Sequence, residues 1–223
     1  MKNALRFTEQ IVAAYTYTVA EQSLVDALHN STLGHDEMWS GSIATIPHKR
    51  KDRDTLKTNI KKFLELAQDG YCYYCGFSFV SRNGERGYKG IQRDHIAPKS
   101  LYKQFTFQSR NLILACSKCN SSDYKGDTET VEKASAEYDK CDFNIIHPYL
   151  DKFSRHLQLQ DDGLLKLVRK SRKGKATKKM FGLDETFEVT LRSVCLQFDK
   201  YQVNTLEELL LARISKVNIS VHK

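Results

Sequence analysis

"YCYYCG" at residues 71–76 and "LACSKCN" at residues 114–120 decide how this chain is read. Each holds two cysteines with two residues between them: Cys72 with Cys75, and Cys116 with Cys119. Such a knuckle turns two thiolates to one side of a tight turn, and two knuckles complete a tetrahedral set for zinc. Disulfides are the alternative, but "MKNALRFTEQ" has neither an apolar signal core nor a small-residue cleavage pattern, so a cytoplasmic chain with reduced thiols is expected. A zinc ion held by four cysteines keeps no open position, so the site is expected to be structural, contributing on the order of 10 kcal/mol to folding. No thioredoxin-like strand-helix-strand pattern surrounds either pair, which argues against redox use. Cys141 and Cys195 fall in helical patterns and read as buried apolar residues.

Between the knuckles lies "QRDHIAPKS", residues 92–100. Asp94 and His95 are adjacent there, and Pro98 marks the end of a strand. Asn111 stands just before the second knuckle and Asn120 just after it. The order is therefore a knuckle, Asp-His, Asn, then a knuckle followed by Asn. A zinc clamp would press the segment ending in Asp94 and His95 against the one ending in Asn120. Adjacent side chains on a regular strand point to opposite faces, so the pair converges on one site only where the strand ends or distorts.

These residues resemble the HNH endonucleases of the ββα-metal type, in the subset with a four-cysteine structural zinc. The resemblance spans residues 71–127. It implies an α+β fold with a central ββα unit set among helices from both termini. It implies hydrolysis of phosphodiester bonds in nucleic acid, with His95 as general base and Asp94 and Asn120 as ligands of Mg²⁺ or another divalent cation. Asn111 would orient the loop that carries His95. The final position of the motif is often His; here it is Asn120, which also occurs in active members. The chemistry agrees: a His titrates near neutrality, and hard oxygen ligands suit a hydrated Mg²⁺. Arg93, Lys99, Lys118 and Lys125 are nearby cations available for phosphate contacts.

Outward from this core, the net charge of +8 favours a polyanionic partner (DNA, RNA or an acidic membrane surface), and the nuclease resemblance makes DNA the leading expectation. "KLVRKSRKGKATKKM" at 166–180 holds eight Lys or Arg and no acid, which suits phosphate, a partner's acidic face or a solvated loop. Gly174-Lys175 lacks the flanking residues of a P-loop. No apolar run approaches the roughly 18 residues that span a bilayer. "KDRDTLKTNIKKFLELAQDG" is an amphipathic helix with Asp52 or Asp54 to cap its start and Gly70 its end. Residues 5–29 read as one helix or two, 31–48 as a loop, "SKCNSSDYKGD" as a turn entering a short helix, and "ETVEKASAEYDKC" as a helix. "LRSVCLQFDKY" and "NTLEELLLARISKV" are further helices, the latter with a capping box from Asn204 or Thr205. His35-Asp36-Glu37 reads as surface. The division expected is a helical 1–70, a nuclease core at 71–127, and a mainly helical 128–223 with its basic segment at 166–179.

The region from 144 onward, "NIIHPYLDKFSRHLQLQDDGLL", more loosely resembles the HNH subunits of Septu-type and retron-linked anti-phage systems. That resemblance implies an ABC-type ATPase partner and makes His147 and His156 structural rather than catalytic. The same knuckles also fit a non-catalytic zinc module that binds nucleic acid or a partner protein. A cysteine-dependent acyl or redox enzyme would instead hold no zinc.

Overall fold

The computed structural model describes residues 3–79, 90–203 and 205–220. It is an α+β arrangement of helices and small antiparallel sheets. The site is built on the hairpin of β1 (Gln92–His95) and β2 (Leu112–Ala115), with Asp94 opposite Ile113 and His95 opposite Leu112. The sequence "GYKGIQRDHI" at 87–96 reads as a strand; it is found at 92–95, and residues 87–89 lie outside the described residues. All four residues of β2 are buried, because helices and turns cover both of its faces.

A free edge on so buried a strand would leave backbone polar groups unpaired. Gln68 prevents this: its side chain donates to Leu114 O (2.8 Å) and accepts from Leu114 N (2.7 Å), acting as a one-residue strand. Tyr149 Oη donates to Leu112 O at 2.8 Å and closes the other open carbonyl. Gln68 is the C-cap of the long helix α3 (Arg50–Ala67), which buries Leu56, Ile60 and Leu64 as its periodicity predicts. Asp52, not Asp54, serves its start, accepting from Lys49 N (3.0 Å). The chain leaves α3 through Asp69 and Gly70, both at positive φ, and enters the first knuckle.

Several expectations fail for identifiable reasons. Residues 5–18 form no helix: Leu5 makes an isolated bridge to Phe77 and Ile11 N donates to Pro148 O, so this stretch is tied to the rest of the chain by single backbone contacts. Helix α1 (Val19–His29) starts only where Thr18 and Glu21 form a capping box. Tyr15 and Tyr17, which looked helical, spend their hydroxyls on Glu21 and Phe107 O. The supposed loop at 31–48 contains the short helix α2 (His35–Trp39), pinned by buried Arg53, which donates to Glu37 O (3.0 Å) and Gly41 O (2.8 Å).

The stretch expected to be helical at 129–141 instead forms β3 (Val131–Lys133) and a 3₁₀ turn, and β3 pairs with β4 (Asp142–Phe143). Thr130 fixes this strand by donating its hydroxyl to Ile96 O (2.6 Å). Cys141 is therefore buried beside a hairpin, while Cys195 is buried in a helix as expected. A third hairpin, β5 (Leu157–Leu159) with β6 (Leu165–Leu167), leads into α4 (Arg172–Met180), α5 (Thr186–Tyr201) and α6 (Leu206–Ser220). Residues 128–167 are thus built on hairpins, and the basic segment ends as a helix. Thr205 and Glu208 form the capping box of α6; Asn204 lies outside the described residues. No described helix is long and apolar enough to cross a membrane.

Replacing Gln68 with Leu keeps the volume but orphans two buried backbone groups of Leu114. The expected loss is about 3 kcal/mol in chemical denaturation, against a near-neutral change for an exposed Gln-to-Leu control.

Candidate active site

The two knuckles come together as their spacing predicts. The Sγ atoms of Cys72, Cys75, Cys116 and Cys119 lie within 4.8 Å of one another, and all four residues are buried without a disulfide. Cys75 Sγ and Cys116 Sγ are 3.7 Å apart. Four sulfurs at about 2.3 Å from one tetrahedral ion would stand about 3.8 Å from each other, so the cluster is compatible with zinc. Backbone N–H groups support the thiolates: Cys116 N donates to Cys72 Sγ at 3.3 Å and Cys119 N to Cys116 Sγ at 3.5 Å. The first knuckle closes at Gly76 (φ +75), where a Cβ would come within 3.0 Å of the Phe7 ring.

Both knuckle segments then reach Asp94. Tyr74, inside the first knuckle, donates its hydroxyl to Asp94 Oδ2 at 2.6 Å. Lys125, just beyond the second, donates to Asp94 Oδ1 (2.9 Å) and to His95 O (2.6 Å). Asp94, His95 and Lys125 are all buried. A buried carboxylate is tolerated only when paired and hydrogen-bonded, and here each oxygen has a donor and keeps further lone-pair capacity. Lys125 thus braces the site from beneath rather than standing in solvent.

His95 closes β1. Its Nε2 lies 3.0 Å from Thr106 O, and a carbonyl only accepts, so Nε2 carries the proton and Nδ1 keeps its lone pair. The Trp39 ring of α2 packs edge-on against the imidazole at 4.4 Å. Burial pushes the His95 pKa down to about 3, against the opposing pull of Asp94. The ring is therefore neutral near neutral pH, the state a proton acceptor requires.

Asn120 Nδ2 donates to Gln92 Oε1 at 2.8 Å, which leaves Asn120 Oδ1 for another partner. Gln92 is two residues before Asp94 and shares its face of the strand. A cleft of about 380 Å³ takes in Trp39, Arg93, Asp94, His95, Lys99 and Asn120. The adjacent pair meets in one cleft because β1 ends at His95 and the chain turns at Pro98. Asp94 and Asn120 offer one carboxylate and one amide oxygen beside open space. That donor set fits a divalent cation retaining several waters, as Mg²⁺ prefers. The four cysteines are the one cluster of three or more Cys, His or acidic ligands among the described residues.

Residues 72–126 match the family model for HNH endonuclease. The chain is also 22% identical over 188 residues to the Septu protein PtuB of Bacillus mycoides (strain KBAB4). That match covers 74% of this chain but only 60% of the relative's length. The stretch after the second HNH knuckle, 117–127, runs as consecutive turns where a short helix was expected.

Of the four cations singled out near the HNH motif, Arg93, Lys99 and the buried Lys125 line the cleft. Arg93 donates to Lys57 O (3.1 Å), and Lys99 pairs with Asp36 at 2.5 Å. Lys118 instead turns to α5, bound to Glu188 (2.9 Å) and Glu185 (3.2 Å). Asp36 and Glu37 serve an ion pair and the Gly34 N-cap, not a metal.

Asn111 lies behind the HNH cleft, fully buried. Its Nδ2 donates to Ala97 O and Phe105 O, each at 3.0 Å, and its Oδ1 accepts from Ala97 N at 2.7 Å. It therefore ties the chain after His95 to the turn that supplies Thr106. Sequence reasoning missed what holds Asn111. His147 Nδ1 accepts from Tyr149 N (3.2 Å) and Leu150 N (3.3 Å), so its Nε2–H donates to Tyr138 Oη (2.8 Å). Tyr138 then donates to Asn111 Oδ1 at 3.0 Å. Every proton in this chain has one consistent placement. His147 is thus structural, as is His156, which bonds Ser171 (2.7 Å). Trp39, Gln92 and Tyr74 are the other contributors that no motif announces.

Burial lowers the His147 pKa from 6.5 to about 3, with Asp151 opposing the shift. The folded protein then refuses a proton that the unfolded chain accepts below pH 6.5, so stability falls as pH drops through that value. Replacing His147 with Asn is expected to flatten this slope between pH 7 and 5 in denaturation titrations; an unchanged slope would show that His147 is not buried neutral.

Proposed function

We propose that this chain is a metal-dependent HNH endonuclease that cleaves nucleic acid, with DNA as its substrate, in a bacterial anti-phage defence role. The observation that carries this reading is a single cleft holding Asp94, His95 and Asn120, braced by the four-cysteine cluster through Tyr74 and Lys125. The match of 72–126 to the HNH model supports the chemistry, and the likeness to the Septu protein PtuB supports the setting. On that reading the four cysteines hold a structural Zn²⁺, and the chain works with an ABC-type ATPase partner.

In this mechanism Nδ1 of His95 accepts the proton of the attacking water, while Thr106 O holds the opposite ring nitrogen. An approaching phosphate adds negative charge beside the imidazole and raises its low pKa toward a useful basicity. Asp94 and Asn120 would hold Mg²⁺ or a similar divalent cation, which when bound neutralises charge at the scissile phosphate and the leaving oxygen. Arg93 and Lys99 face the same cleft and add positive charge for the backbone on either side. Asn111 acts indirectly, tying the chain after His95 to the turn whose Thr106 O holds the imidazole.

Plasmid nicking in Mg²⁺ or Mn²⁺, with the ATPase partner supplied where required, tests this assignment. Replacing His95 with Ala is expected to slow cleavage by at least about 100-fold while leaving bound zinc in place. Equal cleavage by that variant would remove His95 from the mechanism. Binding of DNA with no cleavage under any divalent cation would favour the non-catalytic zinc module.

A further inference from the structure

The basic segment folds in a way that stability alone does not explain. Helix α4 has no acidic residue in its first turn, where the helix dipole favours acids, and places Arg172 and Lys173 there instead. Its inner face is set by Gly174, where a Cβ would meet His156 O at 2.7 Å, and by Thr177, whose hydroxyl accepts from Ile146 N (2.9 Å). Its outer face presents Arg172, Lys175 and Lys179, all exposed. Their spacing of three and four residues makes one stripe about 10 Å long.

Just before the helix, Arg169 (φ 47) and Lys170 (φ 57) take consecutive left-handed conformations that L side chains rarely adopt. The turn they form, closed by Ser171 N to Val168 O at 3.0 Å, presents two more exposed cations. Among the described residues, Lys173 pairs with Asp151 and Lys178 with Asp184, whereas Arg169, Lys170, Lys175 and Lys179 have no ion-pair partner. Arg172 has only a long contact to Glu132, at 3.8 Å. A groove of about 930 Å³ runs past Lys170, Arg172, Lys175 and Lys179; Asp184 and Glu185 also line it, with Asp184 paired to Lys178.

This surface is joined to the cleft by two side chains. Phe181, immediately after α4, stacks on Tyr74 with ring centroids 3.8 Å apart, and Tyr74 holds Asp94. The exposed stripe carries no aromatic residue to anchor a protein partner, whereas regularly spaced, unpaired cations are what a polyphosphate needs. Resting on the nuclease reading above, we infer that Arg169, Lys170, Arg172, Lys175 and Lys179 form a track for the sugar-phosphate backbone of duplex nucleic acid. It seats the substrate outside the cleft, without base contacts, at a fixed offset from Asp94.

The test is fluorescence anisotropy with a labelled DNA duplex and the full chain carrying His95→Ala, so that cleavage does not interfere. Adding Lys175→Glu and Lys179→Glu, both exposed, is expected to weaken duplex binding at least about tenfold. The slope of log affinity against log salt should fall by about two. Circular dichroism and thermal melting should stay as in the parent. Equal affinity and equal slope would overturn the track, as would a parent that binds no duplex. A parent that binds through these lysines yet never cleaves with His95 restored would sink the nuclease reading and leave the track standing. Normal cleavage by a double-glutamate variant that binds as its parent does would sink the track alone.

Discussion

The meeting of two cysteine knuckles at one cluster is the constraint on which the rest of the site depends. It holds segments far apart in sequence at sulfur-contact distance. Because of it, Tyr74 from one knuckle and Lys125 from beyond the other reach the two oxygens of the same carboxylate, Asp94. Breaking the cluster would release both donors and leave a buried charge unpaired, which is far costlier than losing a surface ion pair. The cluster thus has a task beyond holding loops together: it fixes the orientation of the acid in the cleft.

The remaining parts enter from outside the HNH segment and lean on this centre from different sides. Helix α2 brings Trp39 against His95, and Arg53 of α3 holds α2 in place. Gln68 at the end of α3 completes the edge of β2. The C-terminal half supplies His147 and Tyr138, which reach Asn111 through a hydrogen-bond chain with only one consistent polarity. Phe181 stacks on Tyr74. Each contact fixes the angle or position of a group in the cleft or one step behind it, which is how a small hairpin acquires a preorganised site.

Much of this was legible in the sequence, and the limit has a physical cause. The cysteine spacing, the Asp94-His95 pair, Asn111 and Asn120 are local signals, and the structure brings Asp94, His95 and Asn120 to one cleft with Asn111 behind it. The periodicity of α3 located that helix. Periodicity misled where polar side chains had other partners: Tyr15 and Tyr17 sit in chain that forms no helix, and Thr130 fixes a strand where a helix was expected. Trp39, Gln68 and Tyr138 gave no signal because each acts on a residue remote in sequence, and His147 was read as structural without the partner it serves. Lys118 and Lys125 looked equivalent beside the motif; one faces α5 and the other lies beneath Asp94, a difference that only the folded chain contains.

On the nuclease reading proposed above, the buried four-cysteine cluster holds zinc and positions a second, oxygen-ligated metal site at Asp94 and Asn120. Anomalous diffraction from crystals of the full chain grown with Mn²⁺, recorded at the zinc and manganese edges, tests it most directly. A zinc peak is expected among Cys72, Cys75, Cys116 and Cys119, with a separate manganese peak in the cleft bonded to Asp94 and Asn120. Thiols without metal, or manganese bound away from Asp94, would contradict it.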